Sequence, residues 1–275
     1  MRVADKRSVF SALHRDGCFV LPNPWDVGSA RLLESLGFKA LATTSAGHAW
    51  SQGQADGQTS RAELLAHLRT IAAATTLPVN ADFESGFGDN PAGVAESVRM
   101  AVDTGIAGLS IEDSTGVPDD PVRGVDDSVA RLRAARAAID EAGGDVLLIG
   151  RAENFILGRP DLDDTIARLK AYAEAGADCL YAPGIHTREQ IAAVVSAVAP
   201  KPVNLLIGSA NGLTVADAAA LGVRRVSVGG ALARTAWDGF LRAARDIAEH
   251  GTFDSFADAV PSRTLNALFH EKKNA

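Results

Sequence analysis

The stretch "TGIAGLSIED" at residues 104–113 decides the fold. Gly105 suits the left-handed position that closes a helix. A short apolar strand follows at once and runs out into two carboxylates. The same beat recurs in "LGFKALATTS" (36–45), "AGADCLYAPG" (175–184) and "LGVRRVSVGG" (221–230), with Gly37, Gly176 and Gly222 as the closing glycines. Between these lie other short apolar runs at 18–21, 78–81, 146–149 and 202–206, each suited to a strand buried on both faces. Residues 60–75, 92–104, 126–142, 161–175, 187–198, 214–221 and 230–249 are rich in Ala, Leu, Glu and Arg and read as helices. Cap signals support several of them: Ser60 with Glu63, Asn90 before Pro91, and Thr187 with Gln190. Eight βα repeats predict an α/β fold, a single (β/α)8 TIM-type barrel over 1–250, with a doubly wound open sheet as the rival.

The segment 251–275 follows the eighth unit and carries Phe253, Phe256, Val260, Leu265, Leu268 and Phe269. So apolar a tail is expected to dock, either under its own barrel or on a neighbouring subunit. With 47% hydrophobic and 22% charged residues the chain has the balance of an ordinary globular protein. No apolar run is long enough for a membrane span, and charges scattered through "MRVADKRSVFSALHRDG" leave no signal-peptide core. A cytoplasmic location and no membrane partner are therefore expected. A net charge of −7 with dispersed Lys and Arg argues against a nucleic-acid partner. Cys18 and Cys179, far apart and each in an apolar stretch, offer neither a disulfide framework nor a thiolate metal site.

In such a barrel the chemistry collects at the C-terminal ends of the strands. There the sequence is lopsided. Strand 2 ends in Thr43-Thr44-Ser45-Ala46-Gly47, strand 3 in Asp82 and Glu84 within "NADFESGFGDN" (80–90), strand 4 in Glu112-Asp113, and strand 5 in Arg151 and Glu153. Asp56 sits in the loop after strand 2. Taken singly, each acid is more often than not a helix cap or a solvated loop charge. Jointly, four acids from neighbouring loops opposite one arginine suit a hard divalent cation and an anionic ligand. A cation between Asp82, Glu84 and Glu112 turns their mutual repulsion into attraction, and Gly86 with Gly88 lets the chain turn away at the rim.

These residues resemble the isocitrate lyase/phosphoenolpyruvate mutase superfamily, over most of the chain from about Asn23 to the eighth strand. The resemblance is carried by "TTSAG" (43–47), "ADG" (55–57), "ADFESGFG" (81–88), "SIED" (110–113) and "GRAENFI" (150–156), ordered on successive strands. It implies that Asp82 contacts Mg²⁺ (or Mn²⁺) directly, while Asp56, Glu84 and Glu112 hold its waters. It implies that Thr43, Ser45 and the backbone N–H groups of Ala46 and Gly47 grip a 2-oxo acid, with Arg151 balancing charge across the substrate. Asp56 and Arg151 are thus the candidate catalytic residues, and the partner is a small anionic 2-oxo or 2-hydroxy acid. The family further implies a homodimer or homotetramer whose subunits swap the last helix.

The chain also departs from the family. Asp-x-Asp at the metal becomes Asp82-x-Glu84. The lyases' gating-loop Lys-Lys-Cys-Gly-His is replaced by "EDSTGVPDDPVRGVDD" (112–127), with no Cys, Lys or His, and the mutase and hydrolase Lys and Asn are missing as well. His186, just past strand 6, lies near where the mutase branch uses a histidine; a helix-cap neighbour is the plainer reading. Asn204 ends strand 7 and either lines the pocket or serves a turn. The expected function is a Mg²⁺-dependent, methylisocitrate lyase-like enzyme cleaving a C–C bond in a 2-hydroxy or 2-oxo di- or tricarboxylate. A phosphonate mutase or hydrolase activity is the alternative, and a 2-oxo acid binding protein without turnover is the reading from another class.

Overall fold

A computed structural model describes residues 1–270. In chain order the elements are α1 Val3–Leu13, β1 Phe19–Leu21, α2 Val27–Ser35, β2 Leu41–Ala42, α3 Ser45–Ser51, α4 Arg61–Ala74, β3 Val79–Asp82, α5 Pro91–Val102, β4 Gly108–Glu112, α6 Val125–Glu141 and β5 Leu147–Arg151. They continue with α7 Leu162–Glu174, β6 Cys179–Tyr181, α8 Arg188–Val198, β7 Val203–Leu206, α9 Val215–Ala220, β8 Arg225–Ser227, α10 Ala231–Arg245 and α11 Ser262–His270. The eight strands form one parallel sheet in the order β1-β8-β7-β6-β5-β4-β3-β2. The remaining seam, between β1 and β2, is bridged where the Ala42 N–H donates to the Pro22 carbonyl at 3.1 Å. Pro22 has no N–H to return, so no ladder continues there. The (β/α)8 barrel expected from the glycine-closed repeats is present. Gly37, Gly105, Gly176 and Gly222 all take positive φ, between 85° and 106°.

Local chemistry explains the helix starts. Ser60 with Glu63 and Thr187 with Gln190 form reciprocal capping boxes, and the Asn90 side chain accepts from the Gly93 N–H with Pro91 in the first turn. Alternation along the strands separates two packing layers. Ala81, Leu109, Leu148, Leu180, Leu205 and Val226 face outward into the helices, against Leu68, Val98, Leu132, Leu169, Ile191 and Val194. The opposite set faces the barrel axis, where Ile149, Cys179 and Tyr181 cluster.

Two elements differ from the sequence expectation. The charged N-terminal stretch is α1, and two of its charges, Lys6 and Arg7, are buried anchors. Lys6 donates to the Ala72 and Thr75 carbonyls, both at 2.7 Å, and Arg7 to the Ile106 and Val102 carbonyls at 2.9 and 2.8 Å. This clamps α1 across the N-terminal ends of the strands, where Phe10, His14 and Phe19 meet edge to face and plug the barrel. The second is α3, which begins inside the "TTSAG" stretch with Thr44 as its cap.

Beyond α10 the chain makes a five-residue π turn at Asp246–His250 and a short 3-10 turn at Asp254–Phe256 before α11. Helix α11 lies against α2 of its own chain, with the Phe269 ring edge 3.9 Å from the Cβ position of Gly28. Residues 271–275 of the expected extension lie outside the described residues. Phe253, Phe256 and Val260 stay exposed, as do Phe240 and Leu241 on α10. No described helix is long and apolar enough to cross a membrane.

Candidate active site

The site starts where β3 leaves the barrel. The Asp82 N–H donates to Thr43 Oγ1 at 2.9 Å, which ties the ends of β2 and β3 together. Asp82 Oδ2 accepts from the backbone N–H and the hydroxyl of Ser45 at 3.0 and 2.9 Å, at the N-terminus of α3. That helix end favours a negative group. The other oxygen, Oδ1, accepts from Arg151 Nη1 at 3.2 Å. The Gly47 N–H, expected to grip a substrate carboxylate, instead donates to the capping Thr44 Oγ1 at 3.2 Å, and Gly47 packs against Trp25 and Ala233. A helix whose first turn caps itself has fewer free donors to offer.

Past Asp82 the chain turns sharply. Glu84 and Phe87 adopt φ of 45° and 53°, a region side chains other than glycine seldom occupy. Strain of this kind persists only where neighbours enforce it. Here the Glu112 N–H donates to the Glu84 carbonyl at 2.9 Å. Gly88 is required by close approach rather than by a bare rim: a Cβ there would stand 2.3 Å from the Val94 nitrogen of α5.

Five carboxylates, Asp56, Asp82, Glu84, Glu112 and Glu153, gather around the single Arg151 guanidinium. Nη1 lies 3.2 Å from Asp82 and 3.4 Å from Glu112, and Glu153 pairs with Nε and, at 3.2 Å, with Nη2. The acids of β3 and β4 therefore meet at one nitrogen. One cation does not balance them. Burial, with Asp82 and Asp56 nearby, pushes Glu84 up to about 7; burial also raises Glu112 well above the carboxylate range, and burial with Asp82 raises Asp56. Glu84 Oε1 is buried with no hydrogen-bond partner.

This donor set fits a divalent cation. All donors are hard oxygens, the charge excess is negative, and an orphaned carboxylate oxygen stands ready. Among the described residues no three His, Cys, Asp or Glu side chains converge for direct ligation. Mg²⁺ needs no such cage, because it keeps several waters and takes one or two carboxylates directly. Asp82 could be that direct ligand, with Asp56, Glu84 and Glu112 reached through water.

Thr43, Ser45, Ala46, Asp56, Asp82 and Arg151 line a cavity of about 180 Å³ in the mouth of the barrel. Glu112 stands behind Arg151, outside that lining. Two expected residues are elsewhere. His186 is exposed, its Nδ1 3.0 Å from the Gly184 carbonyl and its residue just before the cap of α8. Asn204 is fully buried below the cavity, donating to Ser227 Oγ at 2.9 Å. His48, which follows Gly47 on α3, is buried against His67 with ring centroids 3.8 Å apart. A larger groove of about 650 Å³ lies on the outer face between Trp50, Trp237 and Leu241, away from the acids.

The sequence reading missed the cavity's Asn23, Asn80, Ser110, Tyr181, Arg225 and Ser227. Asn23 Oδ1 accepts from the Val228 and Gly229 N–H groups, both at 2.9 Å, so it fastens β8 to β1. Tyr181 lies under Arg151, with the guanidinium carbon 5.0 Å from the ring centroid. The available signal was a polar residue at every second position of otherwise apolar strands. Asp113, next to Glu112, is a structural anchor. Its Oδ1 accepts from the Glu153 N–H at 2.8 Å, while Oδ2 accepts from the Tyr172 hydroxyl at 2.5 Å and Arg168 at 3.1 Å. This buried knot fixes Glu153 and, through it, the side of Arg151. The 114–127 loop folds on itself, with Ser114 bridged to Val122, and supplies no residue to the cavity.

The phosphoenolpyruvate phosphomutase family profile matches residues 10–248. A Burkholderia cenocepacia J2315 protein solved as a candidate lyase/mutase is 51% identical, with 98% of this chain and 97% of that one covered at a TM-score of 0.94. Oxaloacetate acetylhydrolase, solved with its product oxalate, is 29% identical over 97% of this chain and 93% of that one, at a TM-score of 0.85. Among curated relatives, the oxaloacetate decarboxylase of Paraburkholderia xenovorans is 31% identical over 231 residues, 80% of this chain and 74% of that protein.

Proposed function

The chain belongs to the phosphoenolpyruvate phosphomutase family, within the isocitrate lyase/phosphoenolpyruvate mutase superfamily of lyases and mutases, and from that premise we propose a Mg²⁺-dependent lyase that cleaves a C–C bond in a small 2-oxo or 2-hydroxy acid. Mn²⁺ would serve in place of Mg²⁺. The observation that carries this reading is the Arg151 guanidinium, outnumbered by the carboxylates of Asp82, Glu112 and Glu153 that touch it, on the wall of a cavity of about 180 Å³ that Asp56 and Asp82 also line. That volume is below the ~300–1,000 Å³ of sites for larger ligands, so a compact acid is favoured over a tricarboxylate.

A divalent cation bound at Asp82 would polarise the 2-oxo group as a Lewis acid. Ser45 and the α3 N-terminus hold Asp82 in place, and Arg151 faces the negative charge that builds as the bond breaks. Tyr181 and Ile156 line the cavity beside Arg151. No Cys, His or Lys stands on the 114–127 loop. Where a carboxylate sits on C3 of a 2-oxo acid, breaking the C3–carboxylate bond releases CO₂ and leaves the electron pair as an enolate on the 2-oxo group. No side-chain base is needed to start it, and solvent can return the proton to C3. Such a decarboxylation is therefore the C–C cleavage this site is best equipped for, and the similarity to an oxaloacetate decarboxylase supports it. The Arg151-x-Glu153-x-Phe155-Ile156 stretch favours a second reading, phosphonate chemistry of the mutase branch.

The test is product analysis with Mg²⁺ and, in turn, oxaloacetate, isocitrate, methylisocitrate and phosphonopyruvate. Enzyme-dependent CO₂ and pyruvate from oxaloacetate, abolished in Asp82→Ala, is the expected result. Phosphate from phosphonopyruvate would establish the second reading, and tight binding without any product would mean capture without turnover. The exposed Phe240, Phe253 and Phe256 support a homodimer or homotetramer in which the C-terminal helix is exchanged. Light scattering of the full chain and of a variant truncated after His250 tests that assembly.

A further inference from the structure

Below the carboxylates lies a second arginine with no part in the proposed chemistry. Arg225, the first residue of β8, is 2% exposed and lines the same cavity. Its Nε donates to Asn204 Oδ1 at 2.8 Å, and Nη1 lies 3.3 Å from both Asn80 Oδ1 and His14 Nε2. These partners are neutral. His14 is pushed down to about 3 by burial and by Arg225 itself, so it stays neutral and adds no second cation. Phe10, 6.0 Å from the guanidinium carbon, offers only a ring face.

The other deeply buried arginines are treated differently. Arg7 has Asp145 at 2.8 Å, Arg131 has Asp127 at 3.1 Å, and Arg151 has its carboxylates. Among the described residues Arg225 has no ion pair, and its Nη2 makes no hydrogen bond. A guanidinium removed from water without an opposite charge is costly. A planar fork with free N–H groups on a cavity wall is shaped for a carboxylate. Asn80, two residues before Asp82 on β3, links this floor to the upper site.

We propose that Arg225, steadied by Asn80 and Asn204, is a second anion subsite at the cavity floor, which holds the distal carboxylate of a dianionic oxo or hydroxy acid whose other end lies at Asp82 and Arg151. The inference rests on the proposed upper site, since only a ligand held there can reach down the barrel axis. It makes the enzyme selective for dicarboxylates over monocarboxylates of equal length.

Calorimetry with Mg²⁺ tests this, using malate and 2-hydroxybutyrate, which differ by a carboxylate in place of a methyl group. The wild type is expected to bind malate more tightly by about thirtyfold or more, as for a buried charge pair. Arg225→Gln should bring the two acids within about threefold of each other, mainly by weakening malate, and Arg225→Lys should restore part of the gap. Should Arg225→Gln fail to fold, Arg225→Lys alone decides, by a drop of at least about threefold in the preference against an unchanged one. Equal binding by the wild type, or a preference that survives loss of Arg225, overturns the subsite and leaves the upper site standing. Binding of neither acid overturns both.

Discussion

Arg151 and Arg225 are buried in the same barrel, on strands that face the same axis, yet their surroundings are opposite. Arg151 is outnumbered: Asp82, Glu112 and Glu153 touch it, and Asp56 and Glu84 stand close. Among the described residues Arg225 hydrogen-bonds to two amides and an imidazole and forms no ion pair. One layer carries too much negative charge for its cation, and the layer below carries a cation with no anion. Neither is what burial alone would select. Both make sense if the cavity receives charge from outside, positive at the top and negative at the floor.

The comparison can be broken by removing each arginine in turn. Arg151→Met strands at least three carboxylates and is expected to destabilise the ligand-free protein by about 3–5 kcal/mol, read from urea unfolding at neutral pH. Acid comes next. Burial holds His14 and His67 neutral, each pushed down to about 3, against about 6.5 in the unfolded chain. Their contribution is complete above about pH 6.5 and is lost as the pH falls toward 3, amounting to about 2 kcal/mol each by pH 5. His67→Asn should remove one such share, so that its stability falls less than the wild type's between about pH 7 and pH 5.

Arg225→Met sharpens the contrast. It leaves the Asn80 and Asn204 acceptors short of a donor but removes an unpaired charge, so a net cost of no more than about 2 kcal/mol is expected. A loss as large as that for Arg151→Met would contradict the claim that Arg225 lacks a counter-charge. Because Arg225 lowers His14, the same variant should also lose part of its acid sensitivity. The smallest effect belongs to the 114–127 loop. Asp120→Asn should change stability by less than about 0.5 kcal/mol and turnover by less than about twofold, because the loop contributes nothing to the cavity.

The helix-closing glycines and the caps at Ser60, Asn90 and Thr187 were legible because their chemistry is local. The acids at the strand ends were legible for a related reason, since a barrel places every strand end on one face. What failed to show depends on direction and register. Lys6 and Arg7 look like surface charges until the carbonyls they reach are known. His186 follows β6 closely in sequence, but it bonds to the Gly184 carbonyl and stays outside the cavity. Gly47 has the right sequence for an anion grip, yet Thr44 takes its N–H. Arg225 sits in an apolar strand as an oddity, and only the pairing of Arg225 with Asn204 across β7 and β8 reveals the floor it belongs to.

The central claim, that the acids of β3 and β4 share a divalent cation beside Arg151, is tested most directly by crystals grown with Mn²⁺ and diffracted near the manganese edge. A single anomalous peak within bonding distance of an Asp82 oxygen, with Glu84 and Glu112 one water away, is the predicted result. No peak at saturating Mn²⁺, or one bound away from Asp82, would contradict it.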